Sequence, residues 1–351
     1  MSHFARWAVA AVTLSAAACV QAAPHNGVAV QLSTPSPVLR GDVDVTVNVT
    51  VTNTQRHPVV LMKWQLPSDE MEAPLFRITR DDHQPVRYLG AIVKRAAPDA
   101  TELVKLDPGA SLTYQVELTG NYDLSRNGRY TIEYISRGKN GLGTTLASAP
   151  VYLWLEGRSG ATAQPEAQAL ATPGASTEAA SISFTGRCTA SQQSTLRSAV
   201  SAATTYATQS NSYLSNSPSA TQRYVKWFGA FSTSGWNTAH SHFANEQSAF
   251  STQALTLDCS CKKKNVYAYV YPNQPYKIYV CGAFWSAPMT GTDSKGGTLV
   301  HEMSHFTVVA GTDDWAYGQA DAAALAASDP TKALDNADNH EYFAENSPAL
   351  P

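Results

Sequence analysis

A stretch without periodic pattern, GRSGATAQPEAQALATPGASTEAAS from Gly157 to Ser181, divides the chain into halves whose apolar residues recur with different periods. It is rich in Ala, Ser, Thr, Gly and Pro and carries no sustained apolar face, so it reads as an exposed linker of the kind that proteases cut. Two domains of ordinary size fit the 351 residues on either side of it.

Before the linker the period is two. VDVTVNVTVTN (Val43 to Asn53), SLTYQVEL (Ser111 to Leu118) and RYTIEYIS (Arg129 to Ser136) alternate in strand fashion, with turn signals at Pro108-Gly109 and Asn127-Gly128. Short strands with no long helical run predict an N-terminal all-β, immunoglobulin-like sandwich over residues 23–156. Its histidines, His57 and His83, are isolated in the sequence. The segment before it, residues 1–22, has Arg6 ahead of an apolar run from Trp7 to Cys19 and small residues near Val20-Gln21-Ala22. That is the pattern of an export signal, and the run is shorter than the roughly 20 residues needed to span a bilayer.

After the linker the period becomes helical. Ser191 to Leu214, Thr221 to Phe231 and Thr238 to Phe250 each write as a helix with an apolar face. VYAYVY (Val266 to Tyr271) and YKIYVCG (Tyr276 to Gly282) form a strand pair, and Gly297 to Val309 and His340 to Asn346 return to helix. Residues 182–351 are thus predicted to form an α+β domain.

The formal net charge is −3 and only 15% of residues are charged, so no basic surface points to nucleic acid. Without the signal segment four cysteines remain: Cys188, Cys259, Cys261 and Cys281. An even count in an exported chain predicts two disulfides. Cys259 and Cys261 are too close to bridge each other, which leaves two pairings open.

The chemistry concentrates in HEMSHFTVVAGTDDWAYG, His301 to Gly318. His301 and His305 are four apart, about 40° around a helix, so both imidazoles reach one zinc ion. Glu302 then stands beside the ion, placed to take a proton from an attacking water and pass it to the leaving amine. A catalytic zinc takes three protein ligands. A metzincin-type third histidine is absent, because Val308 and Gly311 occupy the positions it needs. A glutamate from a later helix, Glu341 or Glu345, and an aspartate of GTDD, delivered by a turn at Gly311, remain open.

The two motifs together, His301-Glu302-x-x-His305 and Gly311-Thr312-x-Asp314-x-x-Tyr317-Gly318, resemble the signature of the deuterolysin and peptidyl-Lys metalloendopeptidase family, the aspzincins. The resemblance runs from about Phe184 to Pro351. It implies a zincin-like domain holding one Zn2+ on His301, His305 and Asp314, with Tyr317 donating to the developing oxyanion and Asp313 at a variable position. It implies the pairs Cys188–Cys259 and Cys261–Cys281. In NADNHEYFAEN, Asp338 and Glu341 match the positions that hold a lysine ammonium in the peptidyl-Lys members, and three-residue spacing puts both on one helix face.

The expectation is a secreted, extracellular zinc endopeptidase, a monomer that cuts protein substrates on the N-terminal side of lysine. It would be made as a zymogen whose propeptide inhibits it intramolecularly until a cut within about Gly157 to Phe184. The substrate would lie along an edge strand, Val266–Tyr271 or Tyr276–Cys281. A less selective deuterolysin-type protease, and a secreted binding protein with a structural zinc module, are the alternatives.

Overall fold

A computed structural model describes residues 27–67, 70–96, 98–136, 138, 145–159 and 181–351. The export signal and nearly all of the linker lie outside the described residues.

The N-terminal half is built of strands, joined by two single turns of 3-10 helix. Its pattern comes straight from the alternation: in TVNVTVTN (Thr46–Asn53) every second residue is buried, with Val47, Val49 and Val51 fully enclosed. That strand lies between Val28–Ser33 and Ser111–Glu117, antiparallel to both. Gly128–Ser136 is the centre of a second sheet, flanked by Val151–Glu156 and Phe76–Arg80, again antiparallel. Apolar side chains of these strands share one cluster that includes Val47, Ile78, Ile132 and Leu153.

The C-terminal half packs helices around a sheet whose strand order is Ile182–Thr185, Leu255–Asp258, Lys277–Val280, Val266–Val270. The first three are mutually parallel and the fourth is antiparallel. Ile182–Thr185, at the start of the residues described after the linker, is already a strand of this sheet. The sequence expectation for strand edges needs correction here. Lys277–Val280 is interior, not an edge. Val266–Val270 carries a fifth strand, Ile92–Arg95, which comes from the N-terminal half and pairs antiparallel with it.

Helix Ala190–Leu214 begins with a capping box in which Thr189 accepts from the Gln192 amide and Gln192 accepts from that of Thr189. It packs against Thr233–Thr252 and against Lys295–His305, and the latter lies against the last helix, Ala337–Glu345. Gly297 allows that final approach: a Cβ there would sit 2.0 Å from Glu345 Oε1. Helices Gly318–Ser328 and Pro330–Leu334 were not evident in the sequence, the first because an Ala-rich run has no contrasting polar face. Disulfide Cys188–Cys259 ties the chain after the edge strand Ile182–Thr185 to that after Leu255–Asp258, and Cys261–Cys281 ties the latter to the end of Lys277–Val280. For sequence separations of 71 and 20 residues, chain-entropy arguments give about 4 and about 3 kcal/mol respectively.

Candidate metallopeptidase site

The helix that carries HEMSH starts with Ser294 as its cap, accepting from Gly297 N, and every residue from Lys295 to His305 is buried. It ends sooner than its apolar run predicts, at His305 rather than Val309. Gly311 then adopts φ +65°, the left-handed conformation that glycine tolerates, and Thr312 to Tyr317 fold back over the last turn. The return is fastened at two points: Thr312 N donates to Ser304 O at 3.1 Å, and the Ser304 and Thr312 hydroxyls lie 2.6 Å apart.

This turn brings Asp314 to the histidines. Asp314 Oδ1 lies 3.3 Å from His301 Nε2 and 3.6 Å from His305 Nε2. Donor atoms bound to one tetrahedral zinc at about 2.0–2.1 Å are separated by about 3.3 Å, so the three are spaced as a ligand set. Both Nε2 atoms are buried without a hydrogen-bond partner among the described residues, which is costly unless a cation takes them. Their other ring nitrogens are oriented from behind. His305 Nδ1 is 2.7 Å from Thr312 O, and His301 Nδ1 is 2.8 Å from Asp338 Oδ1. The residues present therefore fit a zinc ion, and the group numbers three protein ligands among the described residues.

Electrostatics agree with the spacing. Burial pushes His305 down to about 4, leaving it neutral as a ligand must be. Burial and the Lys94 charge push His301 down too, but Asp314 and Asp338 outweigh them and hold it well above its ordinary range. The proton it then carries is what a bound cation replaces. Burial pushes Glu302 up to about 8, and neither of its oxygens meets a hydrogen-bond donor among the described residues. It is a carboxylate ready to hold a proton.

Glu345, one of the sequence candidates for third ligand, is placed elsewhere. It accepts from Ser294 N at 2.8 Å and Ser294 Oγ at 2.7 Å, at the opposite end of the HEMSH helix. Asp313 is half-buried, and its backbone bridges to Asp335 and Ala337. Asp338 and Glu341, three apart on the last helix as predicted, face one buried ammonium, Lys94 Nζ, at 3.0 and 2.6 Å. Desolvation alone would push Lys94 down, but the two carboxylates outweigh it and keep the ammonium charged. Tyr317 Oη is 2.5 Å from Asp314 Oδ2 and 3.0 Å from the Val93 carbonyl oxygen. Burial and the Asp314 charge raise its pKa well above the usual value, so it remains a donor.

Several residues of this site escaped the sequence. Asn336 is fully buried: its Oδ1 accepts from Trp315 N and Ala316 N, and its Nδ2 donates to Ala316 O, fixing the loop that presents Asp314 and Tyr317. An Asn just ahead of a helix signals a cap; here the side chain is spent on the loop instead. Lys94 gave no signal, because a lone lysine in a strand reads as solvated.

The profile for lysine-specific metallo-endopeptidases matches residues 213–345. An extracellular protease of Aeromonas hydrophila is 50% identical over 87% of this chain and 89% of its own length. This chain belongs to the aspzincin metallo-endopeptidase family. A peptidyl-Lys metalloendopeptidase of Grifola frondosa is 37% identical over 96% of this chain and 97% of its own. A solved zinc peptidase from Grifola frondosa is 52% identical, covering 47% of this chain and all of that one, with a TM-score of 0.45. The chain is therefore a metalloendopeptidase, and no helix among its described residues is long and apolar enough to cross a membrane.

Proposed function

We propose that the chain is exported and acts outside the cell as a zinc endopeptidase that cleaves proteins on the N-terminal side of lysine. Residues 1–22 are the export signal, 23–156 an immunoglobulin-like prodomain, 157–181 the processed linker and 182–351 the mature enzyme. The observation that carries this reading is the paired carboxylates of Asp338 and Glu341, enclosing an ammonium beside the His301, His305 and Asp314 set. Two buried carboxylates favour a compact, fully desolvated cation over a neutral side chain.

His301, His305 and Asp314 would hold the zinc ion, which would supply a Lewis acid for the scissile carbonyl and lower the pKa of water. The chain's own residues do the rest. Glu302, buried on the helix turn that carries His301 and His305, would accept the proton of the attacking water and deliver it to the departing amine. Tyr317 donates to the carbonyl oxygen as charge gathers there. Its single hydroxyl proton is shared between Asp314 and that oxygen, so it shifts toward whichever is more negative. Asp338 both holds His301 and meets the lysine ammonium, coupling metal geometry to substrate recognition.

A structural zinc module would be closed by a fourth protein ligand, and the three-ligand group supports the catalytic alternative instead. Digestion of a mixed peptide library by the processed enzyme, with and without a chelator, tests the proposal. Chelator-sensitive cutting with lysine after each cut is expected. Chelator-sensitive cutting without lysine enrichment would leave a less selective protease, and cutting that a chelator does not affect would remove zinc from the mechanism.

A further inference from the structure

The strand Ile92–Arg95 lies where a substrate of this site would lie. It adds to the edge strand Val266–Val270 in antiparallel register, with Val93 opposite Tyr269 and Lys94 opposite Ala268. Main-chain pairing of this kind is how extended peptides dock on sheet edges. Along it, Lys94 puts its ammonium between Asp338 and Glu341, while the carbonyl of the preceding residue, Val93, accepts from Tyr317. These are the two contacts that cleavage before lysine requires: a filled lysine pocket and a donor on the carbonyl of the bond to be cut.

The geometry points to Ile92–Arg95 as a tethered substrate mimic, with Val93–Lys94 at the position of the scissile bond and Lys94 the latch that keeps the precursor latent. The inference rests on the reading of Asp338 and Glu341 as a lysine pocket and names how that pocket is regulated.

Three further features make the strand an inhibitor rather than a passing substrate. Lys94 is 2% exposed, so neither water nor a competing peptide reaches its ammonium without moving the strand. Both ends are tied down: Ile92 is part of the N-terminal apolar core, Arg95 pairs with Glu72, and Ala96 N donates to Asn265 O at 2.9 Å. The strand therefore stays in the cleft even if its own bond is opened, because neither new end is free to leave. Contacts outside the cleft add to the grip. Lys263 pairs with Glu70 and Glu72, and Asn265 Nδ2 donates to Asp99 Oδ2 at 2.7 Å. A cut in the linker alone thus leaves the N-terminal half seated, and full activity awaits its dissociation or digestion.

The test uses the full-length chain and two readouts. In the Glu302→Gln full-length protein, brief amine acylation followed by peptide mapping is expected to modify Lys94 at least about tenfold less than the exposed Lys63 and Lys105. In the wild-type background, full-length Lys94→Met and Lys94→Ala, verified uncut by intact mass and folded by circular dichroism, should hydrolyse a fluorogenic lysyl peptide at least about tenfold faster than the uncut wild type. Met keeps the length of the stem, so a packing defect at Ala cannot imitate the effect. Modification of Lys94 at the rate of Lys105, or a Lys94→Met precursor as slow as wild type, overturns the proposal. If Lys94 is open in the precursor while the processed enzyme still cuts before lysine, the latch fails and the proposed specificity stands. If Lys94 is shielded but the processed enzyme shows no lysine preference, the specificity fails instead.

Discussion

Glu341→Gln in the processed enzyme isolates the charge of the lysine pocket. Glu341 Oε2 lies 2.6 Å from the captured ammonium, and both groups are buried. Removing one partner of a buried ion pair ordinarily costs about 3–5 kcal/mol. Here Asp338 remains at 3.0 Å to carry part of the load, and Gln still offers an oxygen, so about 2–3 kcal/mol is the expected loss. At 1.4 kcal/mol per decade this is roughly 30- to 150-fold in kcat/KM for a lysyl peptide. Zinc content should not change, since Glu341 lies 3.4 Å from His301 Nδ1 whereas Asp338, at 2.8 Å, is the closer carboxylate. Asp338→Asn should behave differently, lowering both lysine preference and zinc retention. The assay is kcat/KM on paired peptides that differ only in Lys or Ala after the cut, alongside metal analysis. An equal fall on both peptides would refute the pocket, because a lost counter-charge affects only the charged substrate.

Glu302→Gln should retain zinc and lose roughly 10²–10⁴ in turnover, as expected for removal of a general base; turnover above a tenth of wild type would remove it from that role. After dialysis, zinc content should collapse in Asp314→Ala and persist in Asp313→Ala and Glu345→Ala, the outcome to be read by elemental analysis. Asp258 is buried at the end of an interior strand of the C-terminal sheet: burial raises its pKa, but bonds from Ser260, Thr185 and Lys277 outweigh that and hold it at about 2. A depressed carboxylate stabilises the fold above its unfolded pKa near 4 and loses that contribution as pH falls toward 2. Thermal melts should therefore show an acid-side decline that Asp258→Asn flattens, by about 1 kcal/mol after allowance for solvent screening. A decline of equal depth in the variant would assign it to other carboxylates.

The local features were legible because each is decided within a few residues. Alternation in TVNVTVTN fixed one buried face, and four-residue spacing put His301 and His305 on one side of a helix whatever surrounds it. The two motifs together were specific enough to single out Asp314 once their resemblance to a family signature was drawn, and Gly311 supplied the physical means for the turn. Boundaries were less secure. Phe306 to Val309 are apolar enough to continue the helix, yet the chain leaves it after His305 because Thr312 and Asp314 must return to the last turn.

Tertiary structure decided everything that depends on separate segments meeting. Residue spacing left two cysteine pairings open; the family resemblance implied Cys188–Cys259 with Cys261–Cys281, and the adjacency of the strands that precede Cys188 and Cys259 realises it. Asn336 drew no reading from the sequence, yet in the fold it braces the loop that carries Asp314 and Tyr317. The largest gap is Lys94. Nothing within the window around it distinguishes it from an exposed lysine, because its burial is stabilised by two carboxylates 244 and 247 positions further along the chain. A sequence records which charges exist; only the fold brings this one to the two that let it stay buried.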